Sequence, residues 1–147
     1  MRSPADFPPK RTGNSVAPSL PPLSLADMQK AAADEAAHLA YARGLHIAFV
    51  ADWAALAEDS ALRALTFDAM QNAARGLDRF TANPAARAVL GAKMDTVHMS
   101  TGGKPTIGLR GRTLIVTFVP GHGLVGRASS HGIARALGRL FDLPTAG

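Results

Sequence analysis

The chain contains no cysteine, which excludes disulfides, thiolate zinc sites and cysteine nucleophiles. Aromatic residues make up only 5% of the sequence although 47% of it is hydrophobic, because alanine supplies much of the apolar content. No apolar run approaches the roughly 18 residues that a membrane-spanning helix needs. The first residues also lack the apolar stretch of a secretory signal and the amphipathic pattern of a mitochondrial presequence. We therefore expect a cytoplasmic protein without a membrane partner.

Charge is distributed unevenly along the 147 residues. Residues 24–80 contain five basic and eight acidic side chains, whereas residues 81–147 contain eight basic and only two acidic ones. The net charge of the whole chain is +5. A basic carboxyl-terminal part of this kind favours acidic partners, and nucleic acid or another polyanion is the partner that we predict from it.

Proline separates the first residues from the rest of the chain. Residues 1–23 hold six of the ten prolines and show almost no apolar periodicity, so they cannot bury enough surface to offset the entropy of ordering. We interpret residues 1–23 as a disordered, proline-rich arm. Residues 24–147 are long enough for one hydrophobic core and are predicted to form a single α+β domain.

Helix-capping residues divide the alanine-rich first half of this domain. The predicted helices run from Ser24 to Arg43, from Asp59 to Phe80 and from Asn83 to about Ala92. The segment Leu45–Val50 between the first two is ambiguous. We favour a helix there, because Leu45, Phe49 and Trp53 recur at helical spacing, but the same residues could form a buried strand.

The pattern changes to alternation after residue 95. Strands are predicted at Thr96–Ser100, Thr106–Arg110 and Thr113–Val119, followed by a helix from about Arg127 to Phe141. The predicted fold is therefore α+β. It has an Ala-rich helical N-terminal half, a small antiparallel sheet of three strands, or four if Leu45–Val50 is a strand, and a C-terminal helix packed on that sheet.

A glycine-rich loop follows the last predicted strand. Its spacing matches G-x-G-x-x-G, but a dinucleotide site also needs a second parallel strand and an acid about twenty residues further on, and neither is predicted. We therefore expect no cofactor. Free backbone N–H groups in such a loop can still bind an anion. The candidate anion-binding residues are Gly121, His122, Gly123, Gly126 and Arg127.

Basic residues recur every four positions through the last predicted helix. Arg127, His131, Arg135 and Arg139 would lie along one side of it, opposite an apolar side, which is the arrangement of a surface helix that contacts phosphates. Arg110 and Arg112 complete the predicted nucleic-acid contact set. Because no aromatic residues are interleaved with these basic ones, we expect contact with the nucleic-acid backbone and little sequence specificity.

Three residue patterns resemble catalytic or metal-binding motifs, but each lacks a feature that its chemistry requires. Pro105 prevents the helix that a phosphate-binding loop at Ser100–Thr106 would need. The pair Glu35 and His38 lacks the second Glu-x-x-His of a carboxylate-bridged metal site. Ser129 and Ser130 are predicted to cap the last helix rather than to act with His131. We assign no catalytic residue and no metal ligand, and a function without catalysis is favoured.

Three functions are consistent with these patterns. The preferred hypothesis is a small basic protein that contacts nucleic-acid phosphates through its C-terminal half without sequence specificity. The second is a protein-interaction or assembly module whose Ala-rich helices pack on a protein partner or on a second copy. The third is an enzyme that binds a phosphorylated small molecule at the Gly121–Gly126 loop.

Overall fold

A computed structural model describes residues 23–121 and 129–143. These residues form five helices and a four-stranded mixed sheet, which confirms the predicted α+β class. The predicted arm, apart from Leu23, and the start of the predicted last helix lie outside the described residues. The elements are α1 (Leu25–Arg43), β1 (Ala48–Val50), α2 (Trp53–Ala57), α3 (Ser60–Phe80), α4 (Pro84–Lys93), β2 (Thr96–Thr101), β3 (Thr106–Arg110), β4 (Thr113–Phe118) and α5 (Ser130–Leu140).

The three long helices of the first half begin at the predicted capping residues. The Ser24 hydroxyl accepts a hydrogen bond from the Asp27 N–H at 3.0 Å, and Asp59 Oδ1 accepts one from the Leu62 N–H at 3.0 Å. At α4, Asn83 Oδ1 accepts from the Ala85 N–H at 2.8 Å. Each cap satisfies an N–H group that has no partner inside its own helix, so these helix starts follow directly from the sequence.

The helix favoured for Leu45–Val50 is wrong, because residues 48–50 form β1. Gly44 ends α1 in the left-handed conformation, with φ at 68°, and the chain leaves the helix extended. Leu45, Ile47 and Phe49 are then buried alternately, at 2%, 5% and 6% exposure, which is the two-residue period of a strand. The helical spacing of Leu45, Phe49 and Trp53 arises because Trp53 begins the separate short helix α2.

The sheet has four strands and is mixed, so the prediction that its strands are antiparallel is wrong for β1, β2 and β4. The order is β1-β2-β4-β3, with β1, β2 and β4 parallel and only β3 antiparallel to β4. β4 takes the inner position because Leu114, Val116 and Phe118 on one face are all at most 3% exposed. β3 contains Gly108 and the partly exposed Leu109, so it suits an edge better than the centre.

Helices cover one face of this sheet. Val97 and Met99 of β2 are in register with Leu114 and Val116 of β4, and these side chains form a common buried face. Helix α1 packs near β1, α3 near β2 and α5 near β3, so the predicted packing of the last helix on the sheet is confirmed. The opposite face presents half-exposed side chains such as Thr96 and Thr113. Within the described ranges, no helix has the length and apolar character to cross a bilayer.

Candidate nucleic-acid interface

Helix α5 separates its apolar and basic residues onto opposite sides. Ser129 caps it, with the Ser129 hydroxyl accepting a hydrogen bond from the Gly132 N–H at 3.1 Å. Ile133, Ala134 and Leu137 are each at most 3% exposed. His131, Arg135 and Arg139 fall on the other side of the helix and are exposed. The structure therefore places these three predicted site residues along one solvent-facing side.

Helix α3 lies directly against α5. A Cβ atom built on Gly76 would be only 2.6 Å from Ile133 Cγ2, so the two helices approach as closely as a glycine allows. At their carboxyl ends, the rings of Phe80 and Phe141 stack with centroids 6.1 Å apart. These two contacts show that the C-terminal half of α3 runs alongside α5 in the same direction.

Two further arginines, which the predicted contact set does not include, belong to this helix pair. Arg75 and Arg79 are exposed and lie one turn apart in the C-terminal half of α3, whereas their neighbours Ala73, Ala74 and Leu77 are buried. Their four-residue spacing matches that of Arg135 and Arg139. That spacing was visible in the sequence, but the sequence did not show that α3 and α5 are neighbours. We call the set Arg75, Arg79, His131, Arg135 and Arg139 the basic surface.

No carboxylate among the described residues neutralises the arginines of the basic surface. Within residues 23–121 and 129–143, none of its four arginines has an Asp or Glu oxygen within 4.0 Å. Asp78, which lies next to Arg79 in sequence, is instead bound by Arg43 of α1, with Nε to Oδ1 at 2.9 Å. The exposed carboxylate of Asp142 follows α5 but forms no ion pair with Arg139. The guanidinium groups therefore remain accessible to an external anion.

Helix dipoles influence part of this surface. Arg79 and Arg139 occupy the last turns of α3 and α5, where the carbonyl ends of the two helices carry partial negative charge. These arginines therefore stabilise their helix ends as well as presenting charge to solvent. Arg75 and Arg135 lie one turn earlier in each helix, so the dipole offsets less of their charge.

Arg110 and Arg112 do not join the basic surface. Arg112 Nε binds Asp95 Oδ2 at 2.9 Å, and its Nη1 binds the Ala92 carbonyl oxygen at 2.9 Å. Arg110 is exposed at the end of β3 and pairs with Thr113, in the row of side chains on the sheet face opposite the helices. The structure thus separates the predicted contact set into an α5 part and a β3–β4 part.

The bond to Arg112 also changes the acidity of Asp95. The Arg112 guanidinium, helped by the Thr96 hydroxyl, holds the pKa of the Asp95 carboxyl below its ordinary value of 3.8. Asp95 Oδ1 accepts from Thr96 Oγ1 at 2.9 Å, so both carboxylate oxygens have a donor. This ion pair joins the start of β2 to the start of β4, and its role is structural.

Most of the predicted anion loop lies outside the described residues. Gly121 follows β4, is exposed and has φ at 84°, a backbone angle that glycine adopts without strain. The described residues end there, so His122, Gly123, Gly126 and Arg127 remain predictions from the sequence. Over the described ranges, no three His, Asp or Glu side chains gather closely enough to hold a metal ion.

Comparison with known proteins places the chain in a family without giving it an activity. No curated protein and no solved structure shows significant similarity to the chain. A family model matches residues 2–137, which is well over half of the sequence and includes α1 through most of α5. The chain therefore belongs to the family described as a domain of unknown function, DUF4908.

Proposed function

We propose that this protein binds nucleic acid through the phosphate backbone, without sequence specificity, by means of the basic surface on α3 and α5. The observation that carries the proposal is that four exposed arginines on two adjacent helices have no carboxylate partner among the described residues. Arginine binds phosphate oxygens through two parallel N–H groups, which suits it to this task better than a point charge.

The composition of the surface supports contact with phosphates rather than with bases. Among the described residues, the large hydrophobic side chain exposed beside these arginines is Leu140, at 39%, and none of the five surface residues is Phe, Tyr or Trp. Base stacking requires an aromatic or similarly flat partner, and specific readout requires side chains that reach base edges. A surface built mainly of arginines offers charge to phosphate oxygens, and it has no Phe, Tyr or Trp ring on which a base could stack.

The proposal gives a quantitative salt dependence. If all four arginines neutralise phosphates of a DNA duplex, the logarithm of the binding constant falls with the logarithm of the salt concentration with a slope of about −3.6. Raising the salt from about 50 to 200 mM then weakens binding roughly 100-fold. Duplexes of unrelated sequence should bind with the same affinity.

Fluorescence anisotropy with a labelled duplex tests this expectation. The double variant Arg135→Ala/Arg139→Ala should bind more weakly and show a slope reduced by about 1.8, because two phosphate contacts are lost. The control is Lys30→Ala/Lys104→Ala, which removes the same charge at exposed positions on α1 and in the β2–β3 turn. Equal weakening in both variants, or binding that is flat with salt, would rule out the basic surface as the interface.

One observation favours a second candidate function, which is self-association. Helix α1 exposes Ala33, Ala37 and Tyr41 at four-residue spacing, and Tyr41 is 93% exposed. Such an apolar stripe on an alanine-rich helix fits the close packing of α1 against α1 of a second copy. Sedimentation velocity should then show a dimer that Ala37→Glu disrupts and that Ala42→Glu, on another side of α1, leaves intact. A monomer at high concentration contradicts this second candidate.

A further inference from the structure

A groove runs along the outer edge of the sheet, between β1 and α1. Its volume is about 590 Å³. Ile47 and Phe49 form one wall, and α1 forms the other with small side chains that include Ala32, Ala36 and Ala40. These alanines follow one another at helical spacing, so they line a single side of α1. The groove is therefore bounded by the edge of a strand and by a helix side of small residues.

β1 is an edge strand among the described residues, and its outer backbone groups face the groove. In the order β1-β2-β4-β3, no described strand lies beyond it. The Ala48 N–H donates a hydrogen bond of 2.9 Å to the Asp95 carbonyl oxygen, so the backbone groups of Ala48 face β2. These groups alternate in direction along a strand. The N–H and C=O groups of Ile47 and Phe49 therefore point into the groove, where a further strand can bond them.

The chain enters α1 at the carboxyl end of β1. Arg63 of α3 donates hydrogen bonds to the Leu23 carbonyl oxygen from Nε and to the Leu56 carbonyl oxygen from Nη1, both at 2.8 Å. Leu56 belongs to α2, which follows β1, and Trp53 at the start of α2 lines the groove. Leu23 is thus held at the end of the groove where a strand parallel to β1 would finish. The residues before Leu23 can therefore reach the groove directly.

A strand in this groove would form a β-α-β unit with α1 and β1. α1 packs against both β1 and α3, so it lies on the same face of the sheet as the helices that connect β1 to β2. The step from the new strand to β1 and the step from β1 to β2 cross the sheet in one direction, with their helices on one face. The two connections therefore have the same hand, as nearly all connections between parallel strands do.

The length of chain before α1 selects residues 16–20 as the segment that fits. Two prolines and Leu23 connect this segment to the Ser24 cap, which is the usual length between a strand and a helix. Five residues of a parallel strand span about 16 Å. The groove side of α1 extends from Gln29 to Ala40, which is also about 16 Å along a helix. The segment therefore matches the groove in length and in the position of its end.

The side-chain pattern of this segment matches the groove as well. Its larger apolar side chains would share one face of a strand, and they belong to Val16, Pro18 and Leu20. With Pro18 beside Phe49, this face points to the helix side, where Phe49 is buried. Proline has no N–H, and in this register the Pro18 nitrogen faces away from β1. No hydrogen bond of the ladder is lost, so proline is tolerated there.

We propose that residues 16–20 occupy this groove as a fifth strand, parallel to β1 and hydrogen-bonded to it. The Ala17 N–H donates to the Ile47 carbonyl oxygen, and the Ala17 carbonyl oxygen accepts from the Phe49 N–H. The Ser19 N–H donates to the Phe49 carbonyl oxygen. This strand covers an edge that is otherwise open to pairing with other chains. The proposal shortens the predicted arm to residues 1–15 and uses no residue of the basic surface.

Amide hydrogen exchange, followed by NMR on the full chain, tests this pairing. In the proposed register the amides of Val16 and Leu20 face solvent. After correction for the intrinsic rate of each residue, the amides of Ala17 and Ser19 should exchange at least about tenfold more slowly. Equal corrected rates at the four positions would refute the proposal. Slow exchange that develops only as the protein concentration rises would also refute it, because the groove would then hold the segment of a second copy.

Two pairs of variants connect the slow exchange to the groove. Ala36→Leu fills the groove from α1 and should abolish the protection of the Ala17 amide, whereas Ala42→Leu, at an exposed position on another side of α1, should preserve it. Leu20→Asn should also abolish the protection, because it removes an apolar contact with α1. Ser19→Asn, whose side chain would face solvent, is its matched control. Protection that survives both Ala36→Leu and Leu20→Asn would place the segment elsewhere and overturn the assignment.

Discussion

The contact between α3 and α5 gives the sharpest test of the fold. Gly76 faces α5, and a Cβ atom added there would lie 2.6 Å from Ile133 Cγ2, 2.7 Å from Ile133 Cβ and 3.0 Å from the Ser130 carbonyl oxygen. Carbon atoms in good contact are about 3.5–4.0 Å apart. The substitution Gly76→Ala therefore forces α5 to move by about 1 Å, because the nearest atoms belong to a branched core side chain and to the backbone.

Two opposing effects set the size of the change. Alanine favours a helix interior by about 1 kcal/mol relative to glycine. Overpacking of a well-filled core costs about 1–3 kcal/mol. With an overpacking cost of about 2 kcal/mol, the middle of that range, the net expectation is that Gly76→Ala lowers the free energy of unfolding by about 1 kcal/mol, equivalent to a fall in melting temperature of roughly 4 °C for a fold of this size.

Gly91→Ala is the matched control for this prediction. Gly91 is an exposed residue of α4, and a Cβ atom there would meet only Leu45 Cδ2, at an ordinary 3.6 Å. The helix-propensity gain is then unopposed, and we expect the free energy of unfolding to rise by about 0.5 kcal/mol. The same substitution should thus have opposite signs at two helical glycines.

Urea unfolding followed by circular dichroism measures both variants, with the slope m compared to confirm that only stability has changed. A Gly76→Ala protein as stable as the parent, or more stable, would show that α3 and α5 do not approach as described. The shared surface of Arg75, Arg79, Arg135 and Arg139 would then lose its structural basis.

Two further predictions concern a helix cap and an ion pair. Asn83→Ala should lower the free energy of unfolding by about 1 kcal/mol in the same urea assay, whereas Asn83→Asp should not, because aspartate also caps the N–H groups of Ala85 and Ala86. Arg112 lowers the pKa of Asp95 in the folded protein. The ionised Asp95 carboxylate therefore stabilises the fold at pH values above its ordinary pKa of 3.8, and this contribution is lost as the pH falls through the lower pKa of the folded state. Melting temperatures measured from pH 7 to pH 3 at low salt should therefore decline less steeply in Asp95→Asn, and parallel curves would contradict the prediction.

Helix boundaries were predictable because their signals are local. Ser24, Asp59, Asn83 and Ser129 each bond an N–H group two or three residues ahead, so the residues that decide the helix start are adjacent in sequence. The turn at Gly111 was predictable for the same reason. Its φ of 61° is the angle that the first central residue of a type II′ hairpin requires.

Strand order was not predictable, because it depends on competition between distant segments. Periodicity predicts β2, β3 and β4. Whether β3 or β4 lies beside β2 depends on how much apolar surface each of them can bury on the helix-covered face. Val116 and Phe118 of β4 each bury all but 3% of their surface there, whereas Leu109 of β3 leaves 36% of its surface exposed. That difference in burial appears only after the helices are in place.

The candidate interface shows the same division between local and distant information. The spacing of Arg135 and Arg139 on one helix side is local, so the sequence alone predicts it. Arg75 and Arg79 join the basic surface because Gly76 lets α3 pack closely against α5, which lies more than 50 residues further along the chain. Arg112 drops out of the predicted contact set because it binds Asp95, which lies 17 positions away in the sequence. Neither relation leaves a repeated pattern in the sequence.

The position of β4 has a consequence for synthesis on the ribosome. β2 and β3 are separated by β4 in the finished sheet, so neither has its main partner until residue 118 has been made. Before that point, only the three-residue pairing of β1 with β2 is available, and the long edge of β2 is open to strands of other nascent chains. Until the hairpin of β3 and β4 has been synthesised and β4 has paired with β2, the growing chain is exposed to strand pairing with other nascent chains.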